Sequence, residues 1–180
     1  MKWMIASDIH GSAYHCEKLV KRFCEEKADR LLLLGDILYH GPRNGLPADY
    51  NTMKVCEMLN GIKDCVLCVR GNCDAEIDQM VLDFPIMADY SVIDIGSRMI
   101  FATHGHLFNR DILPNLKKGD ILLNGHFHVP DCVVYDDYIY MNPGSVSIPK
   151  ENSPNSFMTF ENNNFAWKNL EGETFKSFSL

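Results

Sequence analysis

Three short apolar runs, separated by helical periodicity and each stopping at a polar residue, constrain this chain more than any other feature. "KWMIAS" stops at Asp8, "RLLLLGD" at Gly35 and Asp36, and "CVLCV" runs into "RGNCD". Continuous apolar runs of this length, bounded by turn residues, read as strands buried on both faces. Between the first two, Cys16, Leu19, Val20, Phe23 and Cys24 follow the i, i+3, i+4, i+7 rule behind Ser12, a residue type suited to an N-cap. After a Gly- and Pro-containing loop over residues 38–50, Val55, Met58, Leu59 and Ile62 mark a second amphipathic helix. Strand, helix, strand, helix, strand predicts parallel βαβ units, hence an α/β fold.

From about Tyr90 the helical period fades. "YSVIDI", "RMIFATH", "DILLNGH", "CVVYD" and "YIYMN" follow one another with brief turns, and "SFMTFENNNFAWKNL" places two strand-like runs around an asparagine cluster tolerant of positive φ, a hairpin signal. Tyr135, Tyr138, Tyr140, Phe157, Phe160, Phe165 and Trp167 alternate along these runs and are read as sheet packing rather than as a base-stacking surface. With no repeat or linker, the expectation is one domain, 1–180, in which two β regions pack together.

No apolar run approaches the roughly 18 residues that cross a bilayer, and no basic-then-apolar leader follows Met1, so a soluble cytoplasmic protein without membrane contact is expected. A net charge of -7 argues against a broad nucleic-acid surface, though a metal ion could still draw a phosphate. Seven scattered cysteines fit free thiols in a reducing compartment. Cys65 and Cys68 spell C-x-x-C, but the stretch reads as a strand, where residues three apart face opposite sides, and no second such pair exists.

The chemistry-bearing residues sit just past the ends of the apolar runs: Asp8 and His10, Asp36, Asn72, His104, then His126 and His128 in "LLNGHFHVP". Strand C-termini are where α/β sheets bind ligands, so donors scattered through the sequence could converge there. In extended backbone His126 and His128 would leave one face about 7 Å apart, a spacing suited to holding something between them. Carboxylate, amide and imidazole donors in this number exceed one four-coordinate zinc site. They suit two ions, about 3.5 to 4 Å apart if Asp36 bridges. Without thiolate, the donor set favours manganese, iron or zinc over calcium or magnesium alone. Taken singly, Asp8-x-His10 also fits a cap or turn, and "GN" a turn with asparagine in the left-handed region.

In its order, D-x-H, GD, GN, a lone H and GHxH resembles the calcineurin-like metallophosphoesterase signature. "ASDIHGS", "LGDILYHGPRN", "THGHLF", "GHFHVP" and "NPGSVSIPK" are similar to the bacterial YfcE-type phosphodiesterases across nearly the whole chain. The resemblance implies a four-layer fold, two stacked mixed sheets with helices outside. It implies one ion held by Asp8, His10, Asp36 and His128 and another by Asp36, Asn72, His104 and His126, with Mn2+ first and Zn2+, Fe2+ or Ni2+ as alternatives. It also implies a homodimer or homotetramer. The activity then expected is hydrolysis of a small phosphodiester, with hydroxide shared by the two ions as the attacking group.

Catalytic candidates are Asp36, Asn72, Cys73, Asp74 and His106. Where many members of the superfamily read G-N-H-[DE], this chain has Cys73, a poorer proton donor to a leaving oxygen than an imidazolium. His106, two residues past His104, is the alternative donor, or else supports His104 by a hydrogen bond. Arg43 in "HGPRN" is suited to clamp a phosphate, and His40 to line the same mouth; loop structure is the competing account for both. A phosphomonoesterase with the same ions and a non-catalytic scaffold of this fold are the rival functions. "NPGS" at residues 142–145 is expected to turn the chain near the metals, with no chemistry assigned.

Overall fold

The computed structural model describes residues 1–96 and 98–180. Its elements are β1 (Trp3–Ala6), α1 (Ala13–Glu25), β2 (Arg30–Leu33), α2 (Thr52–Asn60), a 3-10 turn (Lys63–Cys65), β3 (Val66–Cys68) and α3 (Glu76–Gln79). Then follow β4 (Tyr90–Asp94), β5 (Met99–Thr103), β6 (Asp120–Leu123), β7 (Pro130–Val134), β8 (Tyr138–Pro143), β9 (Ser156–Glu161), β10 (Asn164–Asn169) and β11 (Thr174–Ser179). The predicted order of helices and strands holds through β3; the 3-10 turn, α3 and β11 are additional.

Two mixed sheets result, ordered β11-β10-β9-β1-β2-β3 and β4-β5-β6-β8-β7. In the first, β1, β2 and β3 are parallel and β9 runs antiparallel to β1. In the second, β5, β6 and β8 are parallel, with β4 and β7 antiparallel at the edges. The period of two along a strand sorts the core. Met4, Ala6, Leu31 and Leu33 face the helices with Cys16, Leu19, Val55 and Leu59. Ile5, Leu32 and Leu34 face the second sheet, meeting Ile100, Ile121, Leu123 and Met141. This two-sided burial is why "RLLLL" carries no polar alternation.

The expected stripe on α1 is correct at Cys16, Leu19 and Phe23, but Cys24 is exposed. Ser12 caps the helix as expected, its side chain accepting from the His15 amide. Cys65 lies in the 3-10 turn and Cys68 in β3; both are free thiols. Among the described residues, α1 and α2 pack against the first sheet. The outer face of the second, where Phe101, Leu122 and Tyr140 lie, is packed by Phe108 and Leu116 of the segment over residues 104–119, which contains no helix. Asn162 and Asn163 turn the β9–β10 hairpin with φ of 49° and 63°, as primed two-residue turns require. Most of the named aromatics are buried, as sheet packing predicts, whereas Tyr135 is 40% exposed and stacks on Tyr138.

Candidate metal centre and cleft

The loops after β1, β2 and β3 deliver Asp8, His10, Asp36 and Asn72 from the first sheet; those after β5 and β6 deliver His104, His126 and His128 from the second. The backbone there is unusual. Asp8, His10, Asp36, His126 and His128 all have φ between 49° and 65°, the left-handed region that costs a non-glycine residue roughly 1–2 kcal/mol. Neighbouring groups hold them in it. The Asp8 amide donates to the Gly35 carbonyl at 3.1 Å and the His10 amide to the Asp36 carbonyl at 2.9 Å. The His126 amide donates to Asp8 Oδ2 at 3.0 Å. Close approach also excludes side chains at two glycines: a Cβ on Gly71 would strike the Asp36 carboxylate, and one on Gly125 would strike Ser7 Oγ.

His126 and His128 therefore do not act as an extended i, i+2 pair. β6 ends at Leu123, the chain turns at Asn124 and Gly125, and the two rings enter different clusters. In one, Asp8, His10 and His128 gather, with His10 Nε2 3.4 Å from His128 Nε2, and Asp8 Oδ1 3.1 Å from His128 Nε2. In the other, Asp36, His104 and His126 gather, with His104 Nε2 3.3 Å from Asp36 Oδ2 and 3.2 Å from His126 Nδ1. Asp36 Oδ2 also lies 3.6 Å from His10 Nε2, so this one carboxylate touches both clusters. Asn72 Oδ1 reaches His104 Nε2 at 3.1 Å, and its amide points to Cys73 Sγ at 3.2 Å rather than to Asp74.

Backbone carbonyls fix the imidazole tautomers. Nδ1 of His10 faces the Tyr39 carbonyl at 2.8 Å, Nδ1 of His104 that of Leu34 at 2.6 Å, and Nδ1 of His128 that of Ile148 at 2.7 Å. Each Nδ1 must carry its hydrogen, which leaves the neutral Nε2 lone pairs aimed inward at carboxylate oxygens and at one another. Lone pairs so crowded need a proton or a cation between them. Accordingly, although burial opposes it, the hydrogen bond to Asp36 and the Asp8 charge hold the His104 pKa up at about 9. Against the same burial penalty, His10 and His128 hold Asp8 well below the usual carboxylate range. Burial and charged His104 push His126 down to about 4. Asp8 Oδ1 is buried with no hydrogen-bond donor of its own. This mixed oxygen and nitrogen set, short of donors and rich in acceptors, fits divalent cations.

The sequence left "NPGS" without a role, and the fold gives it one. The Asp8 carbonyl accepts from Ser145 Oγ at 2.9 Å and Ser147 Oγ at 3.0 Å, while Ser145 Oγ accepts from the Ile148 amide at 3.0 Å, the residue whose carbonyl orients His128. Asn142 donates to the Gly125 carbonyl at 2.7 Å. Asp74, read as catalytic, faces inward instead: its carboxylate accepts the amides of Asp36, Ile37 and Gly71 at 2.8, 2.9 and 2.7 Å and ties two ligand loops together.

A cleft of about 370 Å3 opens over the clusters, lined by Asp36, Asn72, Cys73, His126 and His128 together with Arg43, Asn44, Phe127 and Lys150. Arg43 is thus where the sequence placed it. Lys150 and Asn44 were missed; the only signal for Lys150 was its place at the end of "NPGSVSIPK". His40 and His106 are absent from the lining. His40 packs edge-on between Tyr39 and Tyr50, with ring centroids 4.8 and 5.2 Å away. His106 has its ring centroid 5.5 Å from that of His104 and 6.5 Å from that of His126, and burial together with the His104 charge lowers its pKa. Burial and the Asp36 charge push the Cys73 thiol up to about 12.

A family model, the calcineurin-like phosphoesterase superfamily domain, matches residues 1–164. The chain belongs to this superfamily. Membership implies divalent metal ions, and the two clusters are where this calcineurin-like phosphoesterase can hold them. It is 46% identical over 162 residues to phosphodiesterase YfcE of Escherichia coli (strain K12), covering 90% of this chain and 88% of that protein. The solved structure of YfcE, described as a phosphoesterase from E. coli, shares 42% identity and a TM-score of 0.96, with 99% of each chain covered. Vps29 of Entamoeba histolytica, solved with zinc, has a TM-score of 0.62 at 19% identity over 99% of each chain, a likeness of fold alone. No helix among the described residues is long and apolar enough to cross a membrane.

Proposed function

We propose that the chain is a phosphodiesterase that uses two divalent cations, manganese first, to hydrolyse a small phosphodiester. The observation that carries this reading is the convergence of two donor clusters on one shared carboxylate, Asp36, at the floor of an open cleft. His10, Asp8, Asp36 and His128 would hold one ion; Asp36, Asn72, His104 and His126 the other. When bound, such a cation pair supplies Lewis acidity, making water acidic enough to attack near neutral pH and offsetting charge that builds on the phosphoryl oxygens.

The chain's own residues supply position. The Cys73 amide, donating to Asp36 Oδ1 at 2.8 Å, keeps the other oxygen of that carboxylate turned toward the imidazoles. Arg43 and Lys150 line the same cleft as the clusters, and their fixed charges suit the non-bridging oxygens of a phosphate. Neither Cys73, its thiol held protonated, nor His106, outside the cleft and depressed in pKa, is placed to protonate a leaving oxygen efficiently. Esters whose leaving group departs without a proton are therefore the preferred substrates. The identity to YfcE over most of the chain supports diester over monoester hydrolysis.

The test compares a diester and a monoester of one leaving group on EDTA-stripped protein reloaded with manganese. Turnover should depend on the metal, favour the diester, and vanish in Asp36→Asn and His126→Ala while both variants stay folded. Metal binding without turnover of either ester would mean a scaffold.

A further inference from the structure

A second hollow lies beside the metal cleft, and Cys73 is the one residue common to both linings. It measures about 470 Å3, within the range that takes small organic groups, and is walled by Tyr39, Tyr50, Met53, Ile77 and Val81. These side chains are costly where they stand. Met53 is 67% exposed, Ile77 66% and Tyr39 42%, although they come from a loop and two separate helices that converge on one concavity. Apolar area exposed on a concave wall gains by being covered.

The two hollows divide charge between them. Arg43 and Lys150 line the metal cleft, whereas no lysine or arginine lines the second hollow. The one acid there, Asp78, already accepts the Ala75 amide at 2.9 Å. An anion therefore belongs in the first and an uncharged group in the second. Their continuity at Cys73 depends on a small side chain: Sγ is hemmed by the Asn72 amide at 3.2 Å and by Gly41, where even a Cβ would stand 3.2 Å from it.

We propose that the second hollow seats an uncharged apolar or aromatic ester arm of the substrate while its phosphate lies in the metal cleft. This rests on the phosphodiesterase reading and narrows it: the substrate is a diester with one uncharged arm, not a polynucleotide whose neighbouring units all carry charge.

The experiment uses the manganese-loaded full chain and three competitive inhibitors of diester turnover: inorganic phosphate, methylphosphonate and phenylphosphonate, whose carbon–phosphorus bonds are not hydrolysed. Phenylphosphonate should bind about tenfold more tightly than methylphosphonate. The uncharged substitutions Met53→Gln and Ile77→Gln, singly and together, should erase that preference and leave the constants for phosphate and methylphosphonate within twofold. Equal binding of the two phosphonates by the unaltered protein, or a phenyl preference that survives in the double variant, overturns the proposal. So does a change in oligomeric mass of the double variant, which would make the hollow a contact between copies. Metal-dependent turnover and phosphate inhibition without a phenyl preference remove the hollow alone; absence of both turnover and phosphate binding removes the phosphodiesterase reading with it.

Discussion

Replacing Asp36 by asparagine should change how the metal-free protein responds to pH. His104 keeps its proton in the folded protein up to a pKa of about 9, chiefly through its hydrogen bond to Asp36 against the burial penalty, whereas a free histidine titrates near 6.5. That gap corresponds to about 3 kcal/mol at 1.36 kcal/mol per pH unit. Because the folded value lies above the unfolded one, the contribution is fully present below pH 6.5 and is lost as pH rises through about 9. His10, whose pKa is raised through Asp8, adds with the same sign; His126, pushed down to about 4, opposes by only about 0.4 kcal/mol at pH 6.5, where the unfolded imidazole is half protonated, and is neutral in both states above about pH 7.5. The EDTA-dialysed protein should thus lose about 2 kcal/mol of unfolding free energy between pH 6.5 and 8.5. Urea titration followed by fluorescence of the fully buried Trp167 measures this. In Asp36→Asn most of the loss should disappear, since the amide can still accept from the Cys73 N–H but offers His104 no charge. Saturating manganese should remove the loss from the unaltered protein, the ion replacing the proton. A metal-free protein with flat stability over this range, or a variant with an unchanged slope, would refute the reasoning.

Ser145→Ala removes a donor to the Asp8 carbonyl and an acceptor for the Ile148 amide; equilibrium dialysis should show metal affinity falling about 10- to 100-fold, with about 1–3 kcal/mol of stability lost in urea. Arg43→Ala should raise KM or lower kcat/KM for the diester at unchanged metal content, and unchanged kinetics would remove Arg43 from substrate binding. Cys73→His should raise turnover of diesters with poor leaving groups, because an imidazolium near pKa 6.5 can donate where a thiol near 12 cannot. Equal rates with metal content intact would dismiss the missing proton donor as a limit.

Much of this architecture could be read from the chain because buried parallel strands leave an unbroken apolar trace and their ends are marked by donors. "RLLLLGD" announces both a strand packed on two faces and the carboxylate that follows it. β11 escaped because Phe175 and Phe178 are three apart, so only one can face the core; Phe178 does, while Phe175 is 44% exposed. Cys24 fitted the helical stripe but sits in the last turn of α1, where it is exposed. The donor types of the metal centre were legible, but not its backbone. No spacing rule anticipates aspartate and histidine in the left-handed region, which is why an extended geometry misplaces His126 and His128. Hydrogen bonds from Ser145 and Ser147 to Asp8 join residues separated by more than a hundred positions, and Lys150 shares a wall with Arg43 only once both sheets are docked.

Each donor cluster draws on both halves of the sandwich: Asp8 and His10 from one sheet meet His128 from the other, and Asp36 meets His104 and His126. An ion seated in either cluster is consequently a rivet through the seam. Its affinity is added to the cohesion of the two layers, so stripping it should quicken amide exchange along the facing strands β2 and β6.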